Sequence, residues 1–187
     1  SAIHNYERAR EESTSDTTFS PQYRLSDENK KLRNSIDYRK TIALFRMGEY
    51  DLAIESGKLA LSGKQKADSV SEIETWKTEL QLHYLIGQSQ LKTGKLSEAE
   101  KSFNAVISIN KQRTKNYKLE ANAQNSEMIG NSHLYLGYVY SNMEKYDDAL
   151  KEYQQAIDNS RDSSIKAEAY LKIAKIFEQR GDKDSAV

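Results

Sequence analysis

The side chains in this sequence that could do chemistry are few, and the clearest are its histidines. Three occur. His83 and His133 draw the eye because imidazole is the commonest zinc ligand. Neither has an acidic residue or a second histidine four residues on, where a helix would bring another ligand to the same face. Both are therefore expected to pack rather than to bind metal. Glu11-Glu12 and Asp147-Asp148 are adjacent carboxylates, but neighbours on a helix diverge by about 100°. That suits solvated surface better than a paired acid and base. The sequence has no glycine-rich phosphate loop, dinucleotide fingerprint, nucleophile elbow or His-Glu-x-x-His motif. The absence of cysteine removes thiol nucleophiles, thiolate metal sites and any disulfide framework. We read the chain as non-enzymatic, with no catalytic residue, metal or cofactor.

The composition says what kind of scaffold carries these groups. With 37% hydrophobic and 30% charged residues over 187 positions, the chain has a thin core and a large solvated surface. Lys plus Arg and Asp plus Glu are equal at 28 each. No net field would steer nucleic acid to the surface, so nucleic acid is set aside as a partner. No apolar run approaches the roughly 20 residues that span a bilayer, and no secretory leader is visible. Lack of cysteine fits a reducing cytoplasm and a periplasm equally well, so the compartment stays open, with the cytoplasm slightly favoured. One proline and eight glycines leave little material for a many-stranded sheet. Ala, Leu, Lys, Glu and Gln favour helix.

The helices repeat. His83, Ile86, Gly87, Leu96, Ala99 and Phe103 recur fifty residues later as His133, Leu136, Gly137, Tyr146, Ala149 and Tyr153. An earlier copy runs through Gly48, Tyr50 and Ala53, and a later one through Tyr170, Ala174, Phe177 and Gly181 to Ala186. Each copy reads as an apolar-periodic segment, a short turn with Gly48, Gly94 or Gly181, and a second segment centred on alanine. The spacing predicts helical hairpins. Gly87, Gly137 and Ala174 would let the second helix approach closely, answered by Ala53, Ala99, Ala149 and Ala186.

This pattern resembles the tetratricopeptide repeat, whose signature of an aromatic, Leu-Gly and Tyr, then Ala, Phe/Tyr and Ala spans about 34 residues. The copy from His133-Leu-Tyr-Leu-Gly137 through Tyr146, Ala149, Tyr153 and Ala156 matches best. His stands for the usual first-helix Trp at 83 and 133, the closing proline is missing, and the period is longer. The resemblance implies an all-α fold, a right-handed α-α superhelix of about three and a half hairpins. Repeats are expected over residues 27–64, 72–112, 117–160 and 165–187, the last truncated. Residues 1–25 form a separate charged helix and polar linker, and 26–187 the array. The added length, including residues 110–127, is rich in helix formers and should lengthen helices. Such extended repeats resemble those of bacterial sensor and regulator proteins, including peptide-responsive regulators of the Rap type. Residues 182–187 read as the first turn of a helix, so the sequence is expected to be a fragment of a larger chain.

The twelve tyrosines divide on this frame. Tyr50, Tyr140, Tyr146 and Tyr153 fall where hairpins bury large residues, whereas Tyr38, Tyr84, Tyr135 and Tyr138 fall toward the concave groove or its edge. The family's groove positions map to Ser35, Tyr38, Arg39, Ile42 and Phe45, then Gln81, Tyr84, Gln88 and Leu91. They continue through Asn131, Leu134, Tyr135, Tyr138 and Asn142 to Glu168, Leu171, Lys172, Lys175 and Gln179. From these, Tyr38, Arg39, Tyr84, Gln88, Asn131, Tyr135, Tyr138, Lys172 and Lys175 are the candidate ligand contacts. Broad tyrosine rings and two-sided amides suit an extended peptide. The carboxylate clamp of some family members is not reproduced, since Tyr38, Tyr84 and Leu134 stand where lysine would be expected. The resemblance implies a scaffold for another protein or an extended peptide, in a larger bacterial regulatory protein. The alternative is a structural module that self-associates into a homo-oligomer through its array.

Overall fold

The computed structural model describes residues 2–12, 27–62, 69–117 and 123–181. Among them are eight helices and no strand: α1 Ala2–Glu12, α2 Asp27–Arg46, α3 Tyr50–Ser62, α4 Ser69–Lys92, α5 Leu96–Tyr117, α6 Ala123–Asn142, α7 Tyr146–Asn159 and α8 Ser163–Arg180. This is the all-α helical-repeat class that the periodicity predicts. The polar linker expected within residues 13–25, positions 118–122 of the lengthened segment, and the helical turn expected over 182–187 with Ala186 lie outside the described residues.

The added repeat length goes into helix. α4 and α5 run for 24 and 22 residues, against 13 for α3 and 14 for α7. Each second helix buries a stripe of small and medium side chains at helical spacing. In α7 these are Ala149, Tyr153, Ala156 and Ile157; in α3 they are Ala53, Ile54, Gly57 and Ala60. Small residues at those positions bring the helix axes together.

The hairpin turns share one mechanism. Gly48 has φ 80°, which glycine adopts without the Cβ penalty. The amide of Glu49 then reaches back to the Leu44 carbonyl at 3.0 Å, closing the helix end. Lys145 donates to the Tyr140 carbonyl in the same way at 2.9 Å, but the left-handed residue before it is Glu144, at φ 59°. α8 is capped at both ends. Asp162 accepts from the Ser164 amide and hydroxyl at 2.7 Å each, and Gly181 follows at φ 79°.

The chain divides into two compact units, Ser1–Thr93 and Gly94–Val187. In the first, α3 lies between α2 and α4, and α1 packs on α2. Its core holds Thr41 and Leu44 of α2, Ala53 and Ile54 of α3, and Leu80 and Ile86 of α4. In the second unit α6 packs against α5 and α7, and α8 against α7 and α6. Its core is built on Phe103, Val106, Leu136, Val139, Ala149, Tyr153 and Ala156.

Candidate functional site

In the first unit Tyr38 is half-buried on α2 and donates its hydroxyl to Gln81 Oε1 on α4. The bond ties two successive first helices directly. Burial raises the Tyr38 hydroxyl above its usual pKa. Its neighbour Arg39 is exposed. Tyr84 and Gln88 are half-buried on α4 and one turn apart, so they share a face.

In the second unit the structure gathers three of the predicted residues into one arrangement. Tyr138 of α6 donates its hydroxyl to Glu168 of α8, while Lys172 Nζ lies 4.6 Å from the centroid of its ring. An ammonium over an aromatic face is attracted by the ring quadrupole. The ring of Tyr138 meets the edge of Tyr153 at 6.1 Å and the tilted ring of Tyr135 at 6.3 Å. Tyr135 in turn stacks on Phe103 of α5 at 5.3 Å. Burial, reinforced by the Glu168 carboxylate, holds the Tyr138 hydroxyl well above the usual tyrosine range. Tyr138 is thus gripped from α6, α7 and α8 at once, with Lys172 and Glu168 held along one side. Asn131 is half-buried on α6, and Lys175 is exposed one turn beyond Leu171 on α8.

Three sequence expectations change. Leu134, placed along the groove, is buried in a cluster with Ala149, Tyr153, Ala156 and Ile165. The reason is register: α8 returns across that face and takes the leucine into the core. Of the four tyrosines expected to fill hairpin cores, only Tyr153 is fully buried. Tyr50, Tyr140 and Tyr146 are half-buried at the rim. Tyr140 donates its hydroxyl to Glu100 of α5 at 3.0 Å. Gly137 meets the Tyr153 ring more closely than any alanine: a Cβ built there would lie 2.4 Å from Tyr153 Cε1.

His133 is buried, as its place in the repeat predicts, but it is not an apolar filler. Its Nδ1–H donates to Glu152 Oε2 at 2.7 Å, a cross-helix bond from α6 to α7. The spacing of 19 residues concealed it; only the hairpin brings the two together. Glu168, which the sequence placed along the groove but outside the chosen contacts, proves to be the partner of Tyr138. Among the described residues no three His, Asp or Glu side chains converge as metal ligands would. No described helix is long and apolar enough to cross a membrane.

Comparisons with known proteins bear on the same elements. Tetratricopeptide-repeat family models match residues 80–113 and 134–187. No curated protein sequence matches the chain. Among solved structures, MamA aligns with a TM-score of 0.60 at 18% identity, covering 98% of this chain and 83% of that one. The apo form of RapI aligns at 0.71 and 13% identity over 98% of this chain, which spans 45% of RapI. The C-terminal repeat domain of a Plasmodium falciparum FK506-binding protein aligns at 0.59 and 18% identity, covering 86% and 97%. At such identities the likeness is one of fold.

Proposed function

Belonging as it does to the tetratricopeptide-repeat family, the chain is a protein-interaction scaffold, and we propose that it takes an extended peptide on the first helices of a unit. One observation carries the reading. First-helix tyrosines remain half-exposed after folding while polar partners fix their positions, Tyr38 through Gln81 and Tyr138 through Glu168 and Lys172. A ring already immobilised loses little further freedom when a ligand docks on it. Arg39, Gln88, Asn131 and Lys175 add polar groups on these first helices, able to pair with the peptide backbone or its charges. The repeats' extra length and the fold shared with RapI support placing the chain in a larger bacterial regulator.

The test is a random-peptide display selection on the whole chain. Peptides enriched by the wild type should lose about tenfold or more in affinity on Tyr84→Ala or Lys175→Glu, given what anchors and rim charges contribute to interfaces. The circular-dichroism melt of each variant controls for folding. Enriched peptides that bind both variants undiminished would show that the contacts lie elsewhere.

A second reading, self-association, is favoured by α8. Tyr170 and Leu171 are 58% and 66% exposed there, although the corresponding His133 and Leu134 on α6 are buried. Large apolar side chains left uncovered among the described residues invite docking.

A further inference from the structure

The whole chain is neutral, with Lys plus Arg and Asp plus Glu equal at 28 each, but one face of its first helices is not. Counted back from the turn residues Gly48, Gly94, Glu144 and Gly181, the same positions on every first helix stand at i, i+4, i+7 and i+11 and so share a face. The second unit shows where that face lies. Tyr138, from the α6 stripe, reaches Glu168 and Lys172, which belong to the α8 stripe. The two stripes therefore meet edge to edge on neighbouring helices.

On α6 the stripe is Asn131, Tyr135, Tyr138 and Asn142, uncharged throughout. On α8 it is Glu168, Lys172, Lys175 and Gln179, and its single acid already accepts the Tyr138 hydroxyl. The same positions in the first unit carry Arg39 and Arg46 on α2 and Lys92 on α4, all exposed, and no acid. Among the described residues no carboxylate pairs with any of these cations. Off the stripe the pattern is different: Lys40, Lys151 and Arg180 pair with Glu7, Asp148 and Asp147. Two further acids stand apart from the face. Glu127, one turn before Asn131, lies beside the Asp162 cap of α8, and Glu178 matches Ser141, whose hydroxyl meets Tyr153 of α7. What remains is a cationic face on each unit.

We propose that the peptide taken by a unit is an acidic one, its carboxylates set against Arg39, Arg46 and Lys92 in the first unit or against Lys172 and Lys175 in the second. Lys172 is already positioned for this. Its ammonium rests 4.6 Å from the centroid of the Tyr138 ring, and the side chain is half-buried. It therefore loses less freedom on meeting a carboxylate than a solvated lysine would. Partial removal from water also strengthens the attraction. Tyr135 and Tyr138 give the rest of the peptide aromatic surface alongside. A basic peptide would meet like charge, with only Glu168 to answer it. The inference rests on the peptide-binding reading and names its class of ligand.

The probe is a random-peptide library displayed against the whole chain, followed by synthetic copies of the enriched peptides. These should carry net negative charge. Their affinity should fall about tenfold or more from about 0.01 M to about 1 M salt, as the screening length shrinks from about 30 Å to about 3 Å. Charge reversal at an exposed stripe position, Arg39→Glu or Lys175→Glu according to the unit engaged, should weaken binding about tenfold or more. Lys151→Glu, the same charge change on the outward side of α7, should alter it less than about twofold. Circular-dichroism melts control for folding. An acidic peptide weakened as much by Lys151→Glu as by the stripe variants refutes the inference, because overall charge rather than this face would then attract it. Neutral or basic enriched peptides also refute it; where they lose affinity on Tyr84→Ala, the peptide-binding reading still stands. A library that enriches nothing refutes both.

Discussion

The α2–α3 hairpin of the first unit and the α6–α7 hairpin of the second meet the same packing demand from opposite sides. Seven residues before the turn residue stands Thr41 in one and Gly137 in the other; nine after it stand Gly57 and Tyr153. In α6–α7 the first helix gives up its side chain and the second fills the space with a buried tyrosine, leaving no room for a Cβ on Gly137. In α2–α3 the first helix carries the bulk, with Thr41 fully buried, and the second helix is pared to glycine. A Cβ on Gly57 would sit an ordinary 3.4 Å from Thr41 Cγ2, its closer neighbour being Ile86 of α4. Interiors are packed to a fixed density, so the volume between helices is specified more tightly than which helix supplies it.

The largest effect is expected where one side chain does most of the filling. Tyr153→Ala should cost about 3–5 kcal/mol, the range for removing a buried aromatic. Tyr153→Phe should cost far less, losing mainly the 3.2 Å contact of its hydroxyl with Ser141. Urea unfolding followed by circular dichroism measures both. Trp76, the chain's single tryptophan, lies in the first unit, so its fluorescence should report that unit's stability separately.

Next comes the pair that sets the hairpins against each other. Gly137→Ala pushes a methyl into an aromatic ring locked on several sides and should cost about 1–3 kcal/mol. Gly57→Ala meets Ile86 of α4 at Cγ1, 2.7 Å away, on a buried side chain stiff at χ1, so it should also destabilise, but by less, about 1 kcal/mol after the gain in helix propensity. Equal losses at the two glycines would break the comparison, since both helices would then be pinned alike.

The turns give a smaller effect of opposite sign. Gly48 carries its left-handed φ freely, whereas Glu144 carries φ 59° with a side chain. Glu144→Gly should stabilise the second unit by roughly 0.5–1 kcal/mol. Gly48→Ala should destabilise the first by about as much. Thermal melts of the two variants moving in the same direction would contradict this.

The mildest difference appears only in alkali. Tyr138, Tyr140 and Tyr153 all titrate above the usual range, burial being the main cause in each; Tyr140 is pushed up to about 12, with the Glu100 carboxylate assisting. A hydroxyl whose folded pKa exceeds its unfolded value of about 10 stabilises the fold fully below that pH. For Tyr140 the contribution is lost as pH rises from 10 toward 12. The second unit, through these three tyrosines, should lose more stability above pH 10 than the first loses through Tyr38. Tyrosinate absorbance titration with urea midpoints at each pH checks this, and Tyr140→Phe should flatten the decline.

These contrasts also mark what could be read without coordinates. The helices and the glycine turns were legible because both are local: apolar residues recur at the helical period, and a left-handed turn residue is usually glycine. Glu144 was not, because a glutamate in that conformation looks like any other until aligned with Gly94. Tyr138 and Lys172 were chosen as candidate contacts from the repeat pattern, yet the bond to Glu168 and the ammonium over the ring need α6 and α8 side by side. Leu134 went the other way, since position on a first helix does not tell which face the next hairpin covers.

The sequence by itself determined the secondary structure and its repetition, because propensity, periodicity and turn chemistry act over a few residues at a time. It could not decide how volume is shared between facing helices, which tyrosines finish at the rim, or that His133 finds a carboxylate on α7. Those outcomes join residues far apart in sequence. Only the packed hairpins bring them within contact distance, where a single methyl or hydroxyl settles the arrangement.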